Sequence, residues 1–106
     1  MPKYLVQASY TVEGTKGLLK DGGTKRRAAV EQMTTGLGGT VEAIYWAFGD
    51  ADAYVIVNVP DNVSAAAVSL AVNASGAVSL KTTPLLTAEE IDQAVKKGVT
   101  YRAPGQ

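Results

Sequence analysis

Neither cysteine nor histidine occurs in this chain of 106 residues. The lack of cysteine excludes disulfides, thiol nucleophiles and thiol redox chemistry, and the lack of both residue types excludes the common zinc sites. Without histidine there is also no Ser-His-Asp triad and no histidine ligand for haem. Acid–base chemistry is left to Asp, Glu, Lys and Tyr, and we expect neither a metal nor a cofactor.

An excess of charge is missing too, because ten basic and ten acidic residues cancel. A balanced surface does not attract nucleic acid or anionic membranes in general, so we expect neither as a partner. No apolar run approaches the roughly 18 residues that a membrane helix needs. Met1-Pro2-Lys3 leads into a strand-like segment and not into the apolar stretch of a signal peptide. We therefore predict a cytoplasmic protein.

The composition is that of a folded domain, with 46% hydrophobic and 19% charged residues. The length suits one domain. We predict a single domain over residues 1–106, of which 98–106 form an extended tail.

Apolar spacing predicts seven elements along the chain. The predicted strands are 3–12, 40–48, 53–59 and 77–83, and the predicted helices are 24–36, 61–75 and 87–98. Residues 13–23 hold four glycines and are predicted as a connection with room for a short helical turn around 15–20, and Thr24 is predicted to cap the first helix. Pro84 is expected to end the last strand, and Thr87 and Glu90 to form a capping box.

The order β-α-β-β-α-β with a C-terminal helix predicts an α+β protein of the ferredoxin-like kind. Right-handed connections then give a four-stranded antiparallel sheet with two helices on one face. The second helix places an apolar stripe on one side, made by Val63, Ala67, Leu70, Ala71 and Ala74.

The strands are too apolar for a sheet with one wet face. An antiparallel sheet covered on one side alternates apolar with polar residues, whereas residues 43–48 are apolar or aromatic throughout and 53–59 place Tyr54 and Ile56 opposite Val55 and Val57. A second copy of the chain is the expected cover, giving a homodimer or higher oligomer. The alternative is that the C-terminal helix and tail fold over their own sheet.

Several motifs in order resemble the GYD-domain family. Residues 45–52, Tyr-Trp-Ala-Phe-Gly-Asp-Ala-Asp, are similar to the family's Gly-x-Tyr-Asp-like hairpin, and similarity continues at 10–18, 26–30, 37–39 and 87–90 within residues 3–95. Ala51 stands where the motif has tyrosine. The resemblance implies a dimeric α+β barrel. That broader group includes cofactor-free monooxygenases, haem-handling proteins, stress proteins and ligand-sensing domains, so it leaves the activity open.

Six residues are candidates for a ligand site: Tyr10, Tyr45, Trp46, Tyr54, Asp52 and Lys81. Aromatic rings on neighbouring strands suit a flat apolar ligand in a barrel cavity with a few polar groups. Tyr10, Tyr45 and Tyr54 share a face in one of the possible strand registers, and Trp46 must point opposite to Tyr45. The plainer interpretation of the rings is core and interface packing.

Two sets of charged residues, one acidic and one basic, each have a binding interpretation and a structural one. Asp50 and Asp52 either share a cation or a proton, or bond backbone groups of their turn. Lys16, Arg26 and Arg27 either bind an anion or form a solvated helix face.

No catalytic residue can be assigned, and whether the protein is an enzyme stays open. We expect a homo-oligomeric α+β barrel that binds a small organic ligand. One alternative is a cofactor-independent, monooxygenase-like enzyme on a small aromatic or carbonyl substrate, with tyrosine, Asp52 or Lys81 transferring protons. Another is a purely structural assembly protein.

Overall fold

The computed structural model describes residues 1–106 as an α+β fold with an open four-stranded antiparallel sheet and three helices. The strands are β1 (Lys3–Tyr10), β2 (Thr40–Trp46), β3 (Ala53–Asn58) and β4 (Val78–Leu85), and the helices are α1 (Val12–Gly36), α2 (Asn62–Ala74) and α3 (Ala88–Lys96). The strand order is β2-β3-β1-β4, which is the predicted ferredoxin-like arrangement.

The first helix begins twelve residues before the predicted cap at Thr24, so the prediction of a connection over 13–23 is wrong. Thr11 is the N-cap, and its hydroxyl accepts a hydrogen bond from the backbone N–H of Gly14 at 3.3 Å. Only Gly22 leaves the helical conformation, with φ 78°. The glycines therefore produce one kink and do not interrupt the helix over the whole segment.

The other boundaries shift less. β4 continues through Pro84 to Leu85, because it is an edge strand where a missing N–H is tolerated. The capping box of Thr87 and Glu90 is confirmed, and Gly98 follows α3 with a positive φ of 61°.

Asp61 begins α2 by accepting a hydrogen bond from the backbone N–H of Ser64 at 2.8 Å. Bonding to the Ser64 backbone, and then to its side chain, lowers the pKa of Asp61 from its ordinary value of 3.8. Negative charge at this end is also favoured by the helix dipole.

The predicted stripe of α2 lies on its outer side. Val63 and Leu70 are 78% and 72% exposed, while Val68 and Val72 are half-buried toward the sheet. The helix has no charged residue and is apolar on both sides, so its spacing alone does not decide which side packs.

The core lies on the helix-covered face of β1 and β3 and is made of small side chains. Its buried apolar residues are Tyr4, Val6, Ala8, Ala51, Ala53, Val55, Val59 and Val78. Ala8, Ala53 and Val78 form its centre, and Tyr10 and Trp46 pack against it.

The other face of the sheet, which we call the open face, is covered by no helix. One row across it reads Tyr45, Tyr54, Gln7 and Lys81, and the next reads Ala43, Ile56, Leu5 and Thr83. Glu42, at a bulge in β2, pairs there with Lys3, and this contact lowers the pKa of the Glu42 carboxyl. The C-terminal helix and tail are exposed along their whole length and pack little on the rest of the chain, so they do not cover this face.

None of the three helices combines the length and the apolarity that crossing a membrane requires.

Candidate functional site

An apolar cleft opens between the helices and the sheet. Its volume is about 60 Å³, and 15 of its 18 lining residues are hydrophobic. Its walls come from α1, α2 and all four strands, and they include Tyr10, Arg26, Val30, Val55, Val68 and Val72.

The cleft exists because the helix layer is loosely built. α1 packs mainly on β2 and α2 mainly on β4, and the two helices make little contact with each other. Ala8 and Ala53 in the sheet and Ala65 in α2 line the gap and are too small to fill it. A void in a protein interior removes dispersion contacts from its lining, so this gap lowers the stability of the isolated chain.

Two polar side chains line this apolar space at the end where β1 meets α1. The Tyr10 hydroxyl accepts a hydrogen bond from Trp46 Nε1 at 3.2 Å, which leaves its own O–H free to donate. Arg26 is half-buried on α1 and forms no ion pair, since the one salt bridge of the structure joins Lys3 to Glu42. Two donors thus border the cleft.

A second cavity of about 160 Å³ lies beside the cleft and is more polar. It shares Tyr10, Arg26 and Val78 with the cleft, and it adds Glu13 and Asp21 from the first half of α1. Arg26 therefore stands between an apolar space and one with two carboxylates at its rim.

The structure divides the six residues predicted for the site. Tyr45, Tyr54 and Lys81 lie together on the open face, whereas Tyr10 and Trp46 lie on the helix-covered face. The register therefore excludes a face shared by Tyr10, Tyr45 and Tyr54. The register opposes Gln7 to Tyr54, which turns the even-numbered residues of β1 toward the helices. The opposite orientations of Tyr45 and Trp46 are confirmed.

Asp52 has a structural contact at the end of the sheet. Its Oδ2 accepts a hydrogen bond from the backbone N–H of Tyr10 at 2.8 Å, and its own N–H donates to the carbonyl of Ala8. Asp50 is exposed, and three or more carboxylates gather nowhere in the structure. The interpretation of Asp52 as a turn residue that bonds backbone groups therefore fits the geometry.

Ala51, at the position of the motif tyrosine, is 4% exposed. It packs inside the hairpin and offers no functional group to a surface site.

The sequence signal for the cleft was present but weak. Arg26, Val30 and Met33 are spaced by four and three residues, so they lie on one face of α1. The charge pattern groups Arg26 with Lys16 and Arg27, both of which are exposed in the structure. Val68 and Val72 were missed because the apolar outer side of α2 competes with them.

One comparison with known proteins gives a result. The family model of the GYD domain matches residues 4–95. No curated protein and no solved structure matches the chain.

Proposed function

Because the chain belongs to the GYD-domain family, whose domain covers residues 4–95, we propose that it acts as a homo-oligomeric α+β barrel that holds a small organic molecule. The molecule enters the cleft between the helices and the sheet. The single observation that carries this proposal is the open apolar cleft bordered by Arg26 and Tyr10.

The oligomer forms through the open face. Four strands at about 4.8 Å spacing and about 17–20 Å length present roughly 300–400 Å² of projected area. Its middle rows bring together Leu5, Tyr45, Tyr54 and Ile56, with the polar Gln7, Lys81 and Thr83 toward β4. A contiguous exposed apolar patch is typical of an interaction surface. In the dimer these side chains, with Lys81 beside them, face their counterparts and not the ligand.

The size of the cleft limits the ligand. About 60 Å³ is several times the roughly 10–15 Å³ that one water needs, yet well below the roughly 150 Å³ that encloses benzene. The bound molecule therefore inserts a short aliphatic end or the edge of a ring. Its polar end stays near Arg26 and the Tyr10 hydroxyl, where both donors lack an acceptor from the protein.

Binding is favoured over catalysis because the cleft offers little for proton transfer. Its ionisable side chains are Tyr10 and Arg26. Asp52 is bonded to a backbone amide, and Lys81 lies on the opposite face of the sheet. The enzymatic and the purely structural alternatives, and the cytoplasmic location, stay predictions.

Saturation-transfer NMR with butan-1-ol and benzyl alcohol tests the cleft. Val68→Phe fills it from α2, whereas Val63→Phe adds the same ring to the exposed side of that helix. We expect binding to the natural chain and to Val63→Phe, and loss of binding in Val68→Phe. Circular dichroism establishes that both variants are folded. No binding to the natural chain, or equal binding to both variants, contradicts the proposal.

A further inference from the structure

The last helix has an apolar side with nothing packed on it. Every residue from 86 to the C-terminus is exposed, and Ile91 and Val95, spaced by one helical turn, are 48% and 78% exposed. Glu89, Asp92 and Gln93 lie on the other side of the helix. An amphipathic helix of this kind places its apolar side against another surface.

Both ends of α3 carry residues that stabilise a helix terminus. The capping box joins Thr87 and Glu90 at its start, Lys96 lies in its last turn, and Gly98 follows its end. Yet isolated helices shorter than about 12–15 residues are only marginally stable in water, and α3 has 9 residues. Such a helix gains most of its stability from packing, and its own domain supplies none.

The shape of the chain indicates that the missing surface belongs to another molecule. The radius of gyration is 16.8 Å and the longest extent is 56 Å, whereas a compact domain of this length has a radius of gyration of about 13 Å. β4 is an edge strand and forms one border of the open face, and only Leu86 and Thr87 separate it from α3. The helix therefore leaves the sheet next to the surface through which we propose that the dimer forms.

We propose that α3 packs on a second copy of this chain and acts as an arm of the dimer. This inference rests on the proposed dimer through the open face. Stable interfaces bury about 800 Å² of accessible surface per partner, and the sheet alone presents roughly 300–400 Å² of projected area, about half of that figure. A helix face roughly 13 Å long and about 10 Å wide adds roughly a third to that projected area from each copy.

Three variants with one new glutamate each test the arm. Ile91→Glu charges the apolar side of α3, Gln93→Glu charges its polar side, and Ile56→Glu charges the open face. Sedimentation equilibrium measures the dimer dissociation constant of each. Since two copies of Ile91 are buried per dimer, we expect Ile91→Glu to raise the constant roughly 100-fold, with less than a threefold change for Gln93→Glu.

The outcomes separate the two proposals. If Ile56→Glu abolishes the dimer and Ile91→Glu behaves like Gln93→Glu, the arm is refuted and the sheet dimer stands. If the natural chain is monomeric, the proposed oligomer fails first, and the arm fails with it.

A second measurement distinguishes docking on the partner from docking on the same chain. The chain has no cysteine, so Lys97→Cys, on the exposed end of α3, takes a single spin label. The spin-labelled chain, without ¹⁵N, is mixed with ¹⁵N-enriched natural chain, which has no cysteine and carries no spin label. We expect broadening of amide signals in the ¹⁵N chain near Thr83 and Leu85. Broadening that appears only when the spin label and ¹⁵N are in the same chain overturns the proposal.

Discussion

Gly14, in the first turn of α1, lies so close to the carbonyl of Ala77 that a β-carbon on the glycine would overlap with that oxygen. The same carbonyl accepts hydrogen bonds from the backbone N–H of Thr11 at 3.0 Å and from its hydroxyl at 3.1 Å. These hydrogen bonds connect the start of α1 to Ala77, the residue that precedes β4.

This contact predicts opposite effects for two glycines of one helix. Gly14→Ala forces its methyl group against backbone and should destabilise the fold by about 1–3 kcal/mol. Gly17→Ala has nothing within 4 Å of its methyl group and should stabilise the helix by about 0.5–1 kcal/mol. Urea unfolding measures both, and equal effects of the two substitutions would contradict the contact.

Asp61 predicts a pH dependence of stability. Its pKa is lower in the folded chain because Ser64 donates to its carboxylate. Its contribution is therefore present above the ordinary value of 3.8 and is lost as the pH falls through the lower, folded value. Asp61→Asn keeps an acceptor for the cap but not the titration. As the pH is lowered from 6 to 2, the thermal midpoint should fall less steeply for this variant than for the natural chain.

Asp50→Asn is the control, since no hydrogen bond to its side chain occurs in the structure. Parallel curves for Asp61→Asn and the natural chain would argue against this role of Asp61.

The hydrogen bond from Trp46 to Tyr10 predicts a local spectroscopic effect. Tyr10→Phe removes the acceptor of the Trp46 indole N–H and should cost about 0.5–1.5 kcal/mol. It should also shift the emission of Trp46, the only tryptophan. Tyr101→Phe removes a hydroxyl from an exposed ring of the C-terminal tail and should change neither quantity. Unchanged emission in Tyr10→Phe would count against the bond.

The sequence predicted the sheet because alternation determines which strand residues share a face. Val55 and Tyr54, or Tyr45 and Trp46, lie on opposite faces because a strand permits nothing else. Capping predicted the start of α3 for a similarly local reason. These features depend on neighbours within a few residues.

Other features depend on contacts between distant residues, which spacing does not encode. The helical state of residues 13–23 depends on the anchoring of Thr11 to Ala77. The placement of Tyr10 under the helices follows from the pairing of Gln7 with Tyr54. The cleft arises from the separation of α1 and α2, and that separation cannot be predicted from the residue types of either helix.

Sedimentation equilibrium of the natural chain at micromolar concentration tests the central claim, that the open face is buried against a second copy. We predict a mass of twice the 11.0 kDa of the chain, or a multiple of that dimer, and a return to the single-chain mass when Ile56 is replaced by glutamate. A natural chain that sediments at 11.0 kDa across this range, with the open face in contact with water, would contradict the account.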